Sequence, residues 1–316
     1  MRNLDPLSPL RRAPGVIRIH GHRAARGMLP ENTMIGFRHT LDIGLKVVEL
    51  DVLVTADGVP VVTHYPRLMA AATRDKNGKW LSDDSPLIYA MSFDTLQEFD
   101  VGGLRASTAY GKRYPDQAFL TGVRVPSLAQ VAALIKEPDF NDVWLNLEIK
   151  STPEAPENTP PLPDLVSSVL QVLIDQEIID RVFIQSFDWR VLSELQRQMA
   201  AMPRSYLTYD QCEYPTMAVN IYEGSAWMGG VDLAAHGGGL PQVIASLGGQ
   251  IWSPYFKDIT SARLAQAHEA GLIVNAWTVN EPNDIYQMID LGVDGIITDY
   301  PARVQRCLMA CGLSWI

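Results

Sequence analysis

Cysteine is scarce in this chain: three residues in 316, at Cys212, Cys307 and Cys311. They form no Cys-x-x-Cys pair and no metal-finger spacing, which argues against a structural zinc module or a disulfide scaffold. Cys307 and Cys311 lie four apart, on one face of an expected helix, where cysteine serves as a small apolar residue. Long hydrophobic runs are also missing, so no segment is long enough to span a bilayer and no stable membrane insertion is expected. The first nine residues lack the apolar stretch of a secretory signal. A reducing, cytoplasmic setting is the expectation. Positive charge is in deficit, with 26 Lys+Arg against 36 Asp+Glu and a net charge of -10. That balance argues against a nucleic-acid or anionic-membrane partner. An anionic ligand would therefore need a local cluster of Arg and Lys.

Repeats, low-complexity tracts and clear linkers are absent, and one domain over residues 1–316 is expected. What is present is a series of short apolar runs: 16–19, 47–54, 143–149, 182–184, 205–207, 251–252, 272–277 and 295–298. Segments of helical periodicity separate several of them, at 33–43, 127–135, 165–174, 190–199 and 261–270. Gly44 and Gly271 stand where helices should end, each followed by an apolar strand. Alternation of strand and helix implies βαβ units and a mostly parallel sheet. Eight such strands favour a closed (β/α)8 TIM barrel in the α/β class. No Gly-x-Gly-x-x-Gly follows the first strand, which weakens the dinucleotide-binding alternative. A polar segment of approximately 65–122 interrupts the spacing. It reads as a small insertion after the second strand, on the rim where barrel active sites form.

Two carboxylates break the apolar run Val47–Val54. Glu49 and Asp51 are two residues apart, so a strand would project both from the same face. Paired anions in a buried wall are costly unless a cation or a shared proton compensates them. The plainer alternative is a strand end whose carboxylates reach water or an Arg. Glu148 closes another apolar strand, Trp144–Ile149, and is followed two residues later by Lys150. Three carboxylates without Cys or His would make a hard oxygen site, suited to Mg²⁺ or Ca²⁺ rather than Zn²⁺. His22 and Arg23 follow the first strand, and His64 ends the short strand 59–63. Two imidazoles at strand ends suit acid–base work near neutral pH, and Arg23 and Lys150 suit the oxygens of a phosphate. His20 and His39 are assigned structural roles, and His236 and His268 have no supporting context.

The stretch His22-Arg23-Ala24-Ala25-Arg26-Gly27, Pro30-Glu31-Asn32-Thr33, then Glu49-Leu50-Asp51-Val52 and Thr55 through His64, resembles the glycerophosphodiester phosphodiesterase family. Glu148-Ile149-Lys150, Ala276 to Asn280 and Asp294 to Pro301 resemble its later signatures, in order, from about residue 16 to 304. The resemblance implies a barrel enzyme that hydrolyses a small-molecule glycerophosphodiester to sn-glycerol 3-phosphate and an alcohol. By it, Glu49, Asp51 and Glu148 would bind one divalent cation, and His22 and His64 would act as general acid and base. Arg23 and Lys150 would hold the phosphate, Trp277 would pack on the glycerol carbons, and Glu31 would orient Arg23 or a ligand. The substrate glycerol's own hydroxyl would be the nucleophile. Two positions depart from the family pattern. Ala24 replaces a glycine, a small change if its backbone angle is ordinary, and Tyr65 replaces an aspartate beside His64. Competing readings are a related barrel phospholipase of the phospholipase D type and a catalytically weak phosphodiester-binding barrel.

Overall fold

The computed structural model describes residues 5–210, 219–236 and 239–316, so Cys212 lies outside the described residues. Among the described residues, nine strands form one sheet: β1 Arg18–Gly21, β2 Val47–Val54, β3 Pro60–Val62, β4 Trp144–Ile149, β5 Val182–Ser186, β6 Arg204–Thr208, β7 Ile251–Pro254, β8 Ile273–Ala276 and β9 Gly295–Thr298. Eight of them run parallel in the order β1-β2-β4-β5-β6-β7-β8-β9, and β9 pairs back onto β1 to close the ring. This is the expected (β/α)8 barrel. β3 stands outside the ring as the antiparallel return of β2, and the insertion follows it.

Local chemistry accounts for the element boundaries. Helix Met34–Asp42 starts at Thr33, whose hydroxyl accepts the Gly36 N–H. Helix Leu128–Ile135 begins with a reciprocal capping box between Ser127 and Gln130. Gly44 and Gly271 take the left-handed conformations that end their helices. Among the described residues, no helix is long and apolar enough to cross a membrane.

Strand parity divides the core in two. Outward-facing residues such as Val48, Leu50, Val52, Leu145, Leu147 and Ile149 pack with the helix ring. Inward-facing residues close the N-terminal mouth: Val47, Trp144, Phe183, Ile251 and Ile273 pack together, and Leu7 and Leu10 of the N-terminal segment plug them from below. Each such buried side chain contributes about 1.5–3 kcal/mol. Further along the strands the interior turns polar. Asn146 meets His20 at 3.3 Å, Ser205 bonds Ser253 at 2.8 Å, and Gln185 donates to Glu49 at 3.2 Å. The polar side of the barrel interior therefore faces the C-terminal mouth, where barrel enzymes place their chemistry.

Between β3 and helix Leu128–Ile135 the chain builds a small satellite. Leu68, Ile88, Leu96 and Val125 pack on Leu53 and Val61 of the β2–β3 hairpin. Arg74 is pinned there by Asp100 at 3.1 Å and by the faces of Trp80 and Phe119. A short helix in this segment, Ala109–Arg113, carries Tyr110 to the barrel mouth, and Tyr114 follows at its end.

Candidate active site

Register brings the carboxylates together. Asp51 on β2 lies directly beside Glu148 on β4, and Glu49 beside Asn146. Glu49, Asp51 and Glu148 are all buried, and each offers an oxygen within 4.8 Å of the others. Glu49 accepts the Arg23 backbone N–H at 2.8 Å. Asp51 takes the Asn32 amide at 2.9 Å and faces the Arg23 guanidinium at 3.4 Å. Glu148 accepts Lys150 Nζ at 2.7 Å.

These partners do not neutralise the cluster. Burial, then the neighbouring Asp51 and Glu148, pushes the Glu49 carboxyl well above its usual range. Burial pushes Glu148 up to about 7 despite Lys150. Burial acts on Asp51 in the same direction, but Arg23 and Lys150 outweigh it and hold that group low. Asp51 Oδ1 is buried and accepts no hydrogen bond among the described residues, with Lys150 Nζ 3.7 Å away. Three converging oxygens, one of them unsatisfied, with mutual repulsion left over, fit a hard divalent cation.

Two imidazoles border the cluster. His22 Nε2 stands 4.0 Å from Glu49, while its Nδ1 is held by Asp299 at 2.7 Å. His64 Nε2 lies 3.1 Å from Lys150 Nζ, and its Nδ1 has no hydrogen-bond partner among the described residues. Burial, reinforced by nearby Arg side chains, lowers both imidazoles, His22 to about 4. Tyr65 packs edge-on against His64, with ring centroids 4.3 Å apart, and the Arg23 guanidinium lies over its face at 5.6 Å.

Glu31, expected to orient Arg23 or a ligand, forms an ion pair with Arg23 at 3.0 Å. Ala24 differs from expectation. Its φ is +72° and that of Arg23 is +49°, so neither backbone angle is ordinary. The turn that aims Arg23 into the site is left-handed, which costs an alanine about 1–2 kcal/mol. Trp277 donates its indole N–H to the Ser253 carbonyl at 2.8 Å and packs among Phe187, Tyr209 and Tyr255. It is 9% exposed.

Residue-by-residue reading assigned no role to Asp299, Arg26, Asn280, Tyr110 or Tyr114. Asp299 follows β9 and anchors His22, Arg26 and Asn280 together. Tyr110 bonds Glu31 and Arg26, and Tyr114 reaches Asp299. The available signals were that Asp299 directly follows an apolar strand and that Arg26, Asn280 and Asp299 fall within the stretches that resemble the family.

Parallel closure, an oxygen-donor cluster at the C-terminal mouth and cations beside it are features of a barrel hydrolase, and comparison with known proteins gives its kind. The sequence profile of the "Glycerophosphoryl diester phosphodiesterase family" matches residues 22–303. The chain belongs to that family of phosphodiesterases. A solved structure from Silicibacter pomeroyi DSS-3, assigned to the glycerophosphoryl diester phosphodiesterases, is 44% identical, with a TM-score of 0.87 over 98% of this chain and 99% of that one. A glycerophosphodiester phosphodiesterase of Bacillus altitudinis is 27% identical over 92% of this chain and 97% of its own length. The fold also matches an Oleispira antarctica phosphodiesterase in complex with the product sn-glycerol-3-phosphate, at 20% identity and a TM-score of 0.65, covering 93% and 97% of the two chains.

Proposed function

We propose that the chain hydrolyses small glycerophosphodiesters to sn-glycerol 3-phosphate and an alcohol, with one divalent cation, Mg²⁺ or Ca²⁺, held by Glu49, Asp51 and Glu148. The observation that carries this reading is the cluster itself: three buried carboxylates within 4.8 Å, beside two cations and two imidazoles. The relative whose complex contains sn-glycerol-3-phosphate supports the choice of product. A bound divalent cation would supply charge neutralisation at the phosphate's non-bridging oxygens.

The chain's own residues account for the remaining chemistry. Arg23, aimed by its left-handed turn and braced by Glu31, presents a fixed fork of donors to the phosphate. Lys150, just after β4, adds a second cation beside the same Asp51 carboxylate. His22 borders the cluster at Glu49 and His64 at Lys150; the ring in its neutral form takes the proton of the attacking hydroxyl, and the other, in its protonated form, gives a proton to the leaving alcohol. The nucleophile is the glycerol hydroxyl next to the phosphoester: its attack expels the alcohol and leaves a cyclic phosphodiester, which water then opens to sn-glycerol 3-phosphate, so no protein nucleophile is required. The exposed part of Trp277 contacts the glycerol carbons.

The test is release of glycerol 3-phosphate from glycerophosphocholine, with and without EDTA, and with Mg²⁺ or Ca²⁺ restored. Turnover that EDTA abolishes and one of the two cations restores is expected. No turnover on any glycerophosphodiester would overturn the proposal, and EDTA-resistant turnover would overturn the metal assignment.

A further inference from the structure

Asp299 has more partners than any simple salt bridge needs. Its Oδ1 meets His22 Nδ1 at 2.7 Å and Arg26 Nε at 2.9 Å. Its Oδ2 accepts from Arg26 at 3.0 Å, from the Asn280 amide at 2.7 Å and from the Tyr114 hydroxyl at 3.3 Å. The backbone N–H of Asp299 in turn donates to Asn280 Oδ1 at 3.0 Å. The carboxylate is fully buried. It is thus held in one orientation from both sides.

That orientation bears on His22. An ionised carboxylate only accepts hydrogen bonds, so a 2.7 Å contact requires the proton on Nδ1. Arg26 also approaches Nδ1, at 3.3 Å, but that same Arg26 nitrogen already has Asp299 Oδ2 at 3.0 Å. The shorter charge-assisted bond decides the tautomer. Nε2 is then left unprotonated on the side that faces Glu49 at 4.0 Å.

We propose that Asp299, clamped by Arg26 and Asn280, is a positioning residue that fixes His22 as its Nδ1–H tautomer and so presents Nε2 as the proton acceptor of the site. The inference rests on the proposed use of His22 in phosphodiester hydrolysis. Tyr114 and Arg26 join the insertion and the first βα turn to the same carboxylate, so ring closure between β9 and β1 assembles the dyad.

The substitution Asp299→Asn gives a directional test. Three donors surround Oδ2, whereas Oδ1 faces one fixed donor, Arg26 Nε, and His22, whose proton can move to its other nitrogen; an amide NH2 therefore costs less at Oδ1 and turns toward His22. It would then donate to Nδ1 and force the proton onto Nε2. In ¹⁵N-histidine-labelled protein, with the His22 signals identified by their loss in His22→Gln, wild type should show protonated Nδ1 and bare Nε2. Asp299→Asn should show the reverse. Turnover of glycerophosphocholine should fall in kcat by about 10²–10⁴-fold, the usual contribution of a general base, with KM within about threefold.

In a His22→Gln background, Asp299→Asn should cost nothing further, because the two act as one unit. Full kcat in Asp299→Asn, an undiminished effect in the His22→Gln background, or a wild-type Nε2–H tautomer would each overturn the inference. If Asp299→Asn does not fold, the wild-type tautomer still decides. Asn280→Ala, which removes one clamp, should lower kcat about tenfold. Full activity in His22→Gln is a different result, since it would overturn the proposed use of His22 itself.

Discussion

The methyl group of Ala24 occupies the space that Gly36 leaves open: a Cβ placed on Gly36 would lie 3.1 Å from the Cβ of Ala24. The two residues lie on the first βα turn and on the helix that follows it. Ala24 is fully buried with φ at +72°, and the turn it forms carries His22 and Arg23 into the site. A side chain in a left-handed turn is thus accommodated by a glycine on the facing helix.

Gly36→Ala should therefore carry an overpacking cost of about 1–3 kcal/mol, set against about 1 kcal/mol that alanine returns over glycine inside a helix. The cost should be smaller in an Ala24→Gly background, which removes the opposing methyl group. Part of it should persist, because the new Cβ also meets Pro30 O and Thr33 Oγ1 at 3.3 Å. Chemical denaturation of the four members of this cycle measures the coupling. Strict additivity would show that the two sites do not press on each other.

Divalent cation should raise the melting temperature of the EDTA-treated protein, in proportion to the logarithm of concentration once the site is saturated. At a hundredfold excess over Kd the gain is about 2.7 kcal/mol. Asp51→Asn replaces a buried carboxylate whose Oδ1 is unsatisfied. It should abolish most of the cation-dependent shift. An unchanged shift in Asp51→Asn would place the cation elsewhere.

Tyr110→Phe removes a hydroxyl that bonds Glu31 and Arg26 from the insertion. Glu31 is the brace of Arg23. The expected outcome is a KM for glycerophosphocholine raised about three- to tenfold, equivalent to about 1 kcal/mol of phosphate positioning, with kcat within about threefold. Steady-state kinetics separates the two parameters. An unaltered KM would mean that Glu31 holds Arg23 without help from the insertion.

Asp258 gives a pH dependence away from the site. Burial, with the Asp210 carboxyl nearby, pushes Asp258 up to about 7. Its Oδ2 accepts the Asp210 N–H at 3.0 Å, and Arg263 ties the two segments together. Because the folded value lies above the ordinary 3.8, the native state holds an extra proton between about pH 4 and 7. The group's contribution to stability is full below that window and is lost as pH rises through 7. Asp258→Asn should therefore gain about 1–2 kcal/mol over wild type at pH 8, after discounting for solvent screening, and nothing at pH 4. Urea denaturation at the two pH values checks the sign.

Much of the fold was legible because it depends on local pattern. Short apolar runs between helical segments gave the eight strands, and the two-residue spacing of Glu49 and Asp51 put both on one face. That face points inward because Val47, of the same parity, packs in the barrel interior. Glu148 stood out as a carboxylate ending an apolar strand, and β2–β4 register then set it beside Asp51. The backbone at Ala24 was not legible. Its φ follows from how the first βα turn passes beneath β2, where Ala24 N–H reaches the Glu49 carbonyl.

The sequence by itself determined which residues are strand, which carry charge into a buried wall, and hence that an oxygen-rich site exists. Those properties follow from periodicity and from the cost of burying ions. The tertiary structure alone decided what surrounds that site. His22 and Asp299 are 277 residues apart in the chain and touch only because β9 closes on β1. Tyr110 and Tyr114 enter from an insertion whose own small core, built on the β2–β3 hairpin, carries them to the mouth. Contacts across ring closure and across an insertion leave no periodic trace in sequence, since packing geometry rather than local propensity brings the partners together.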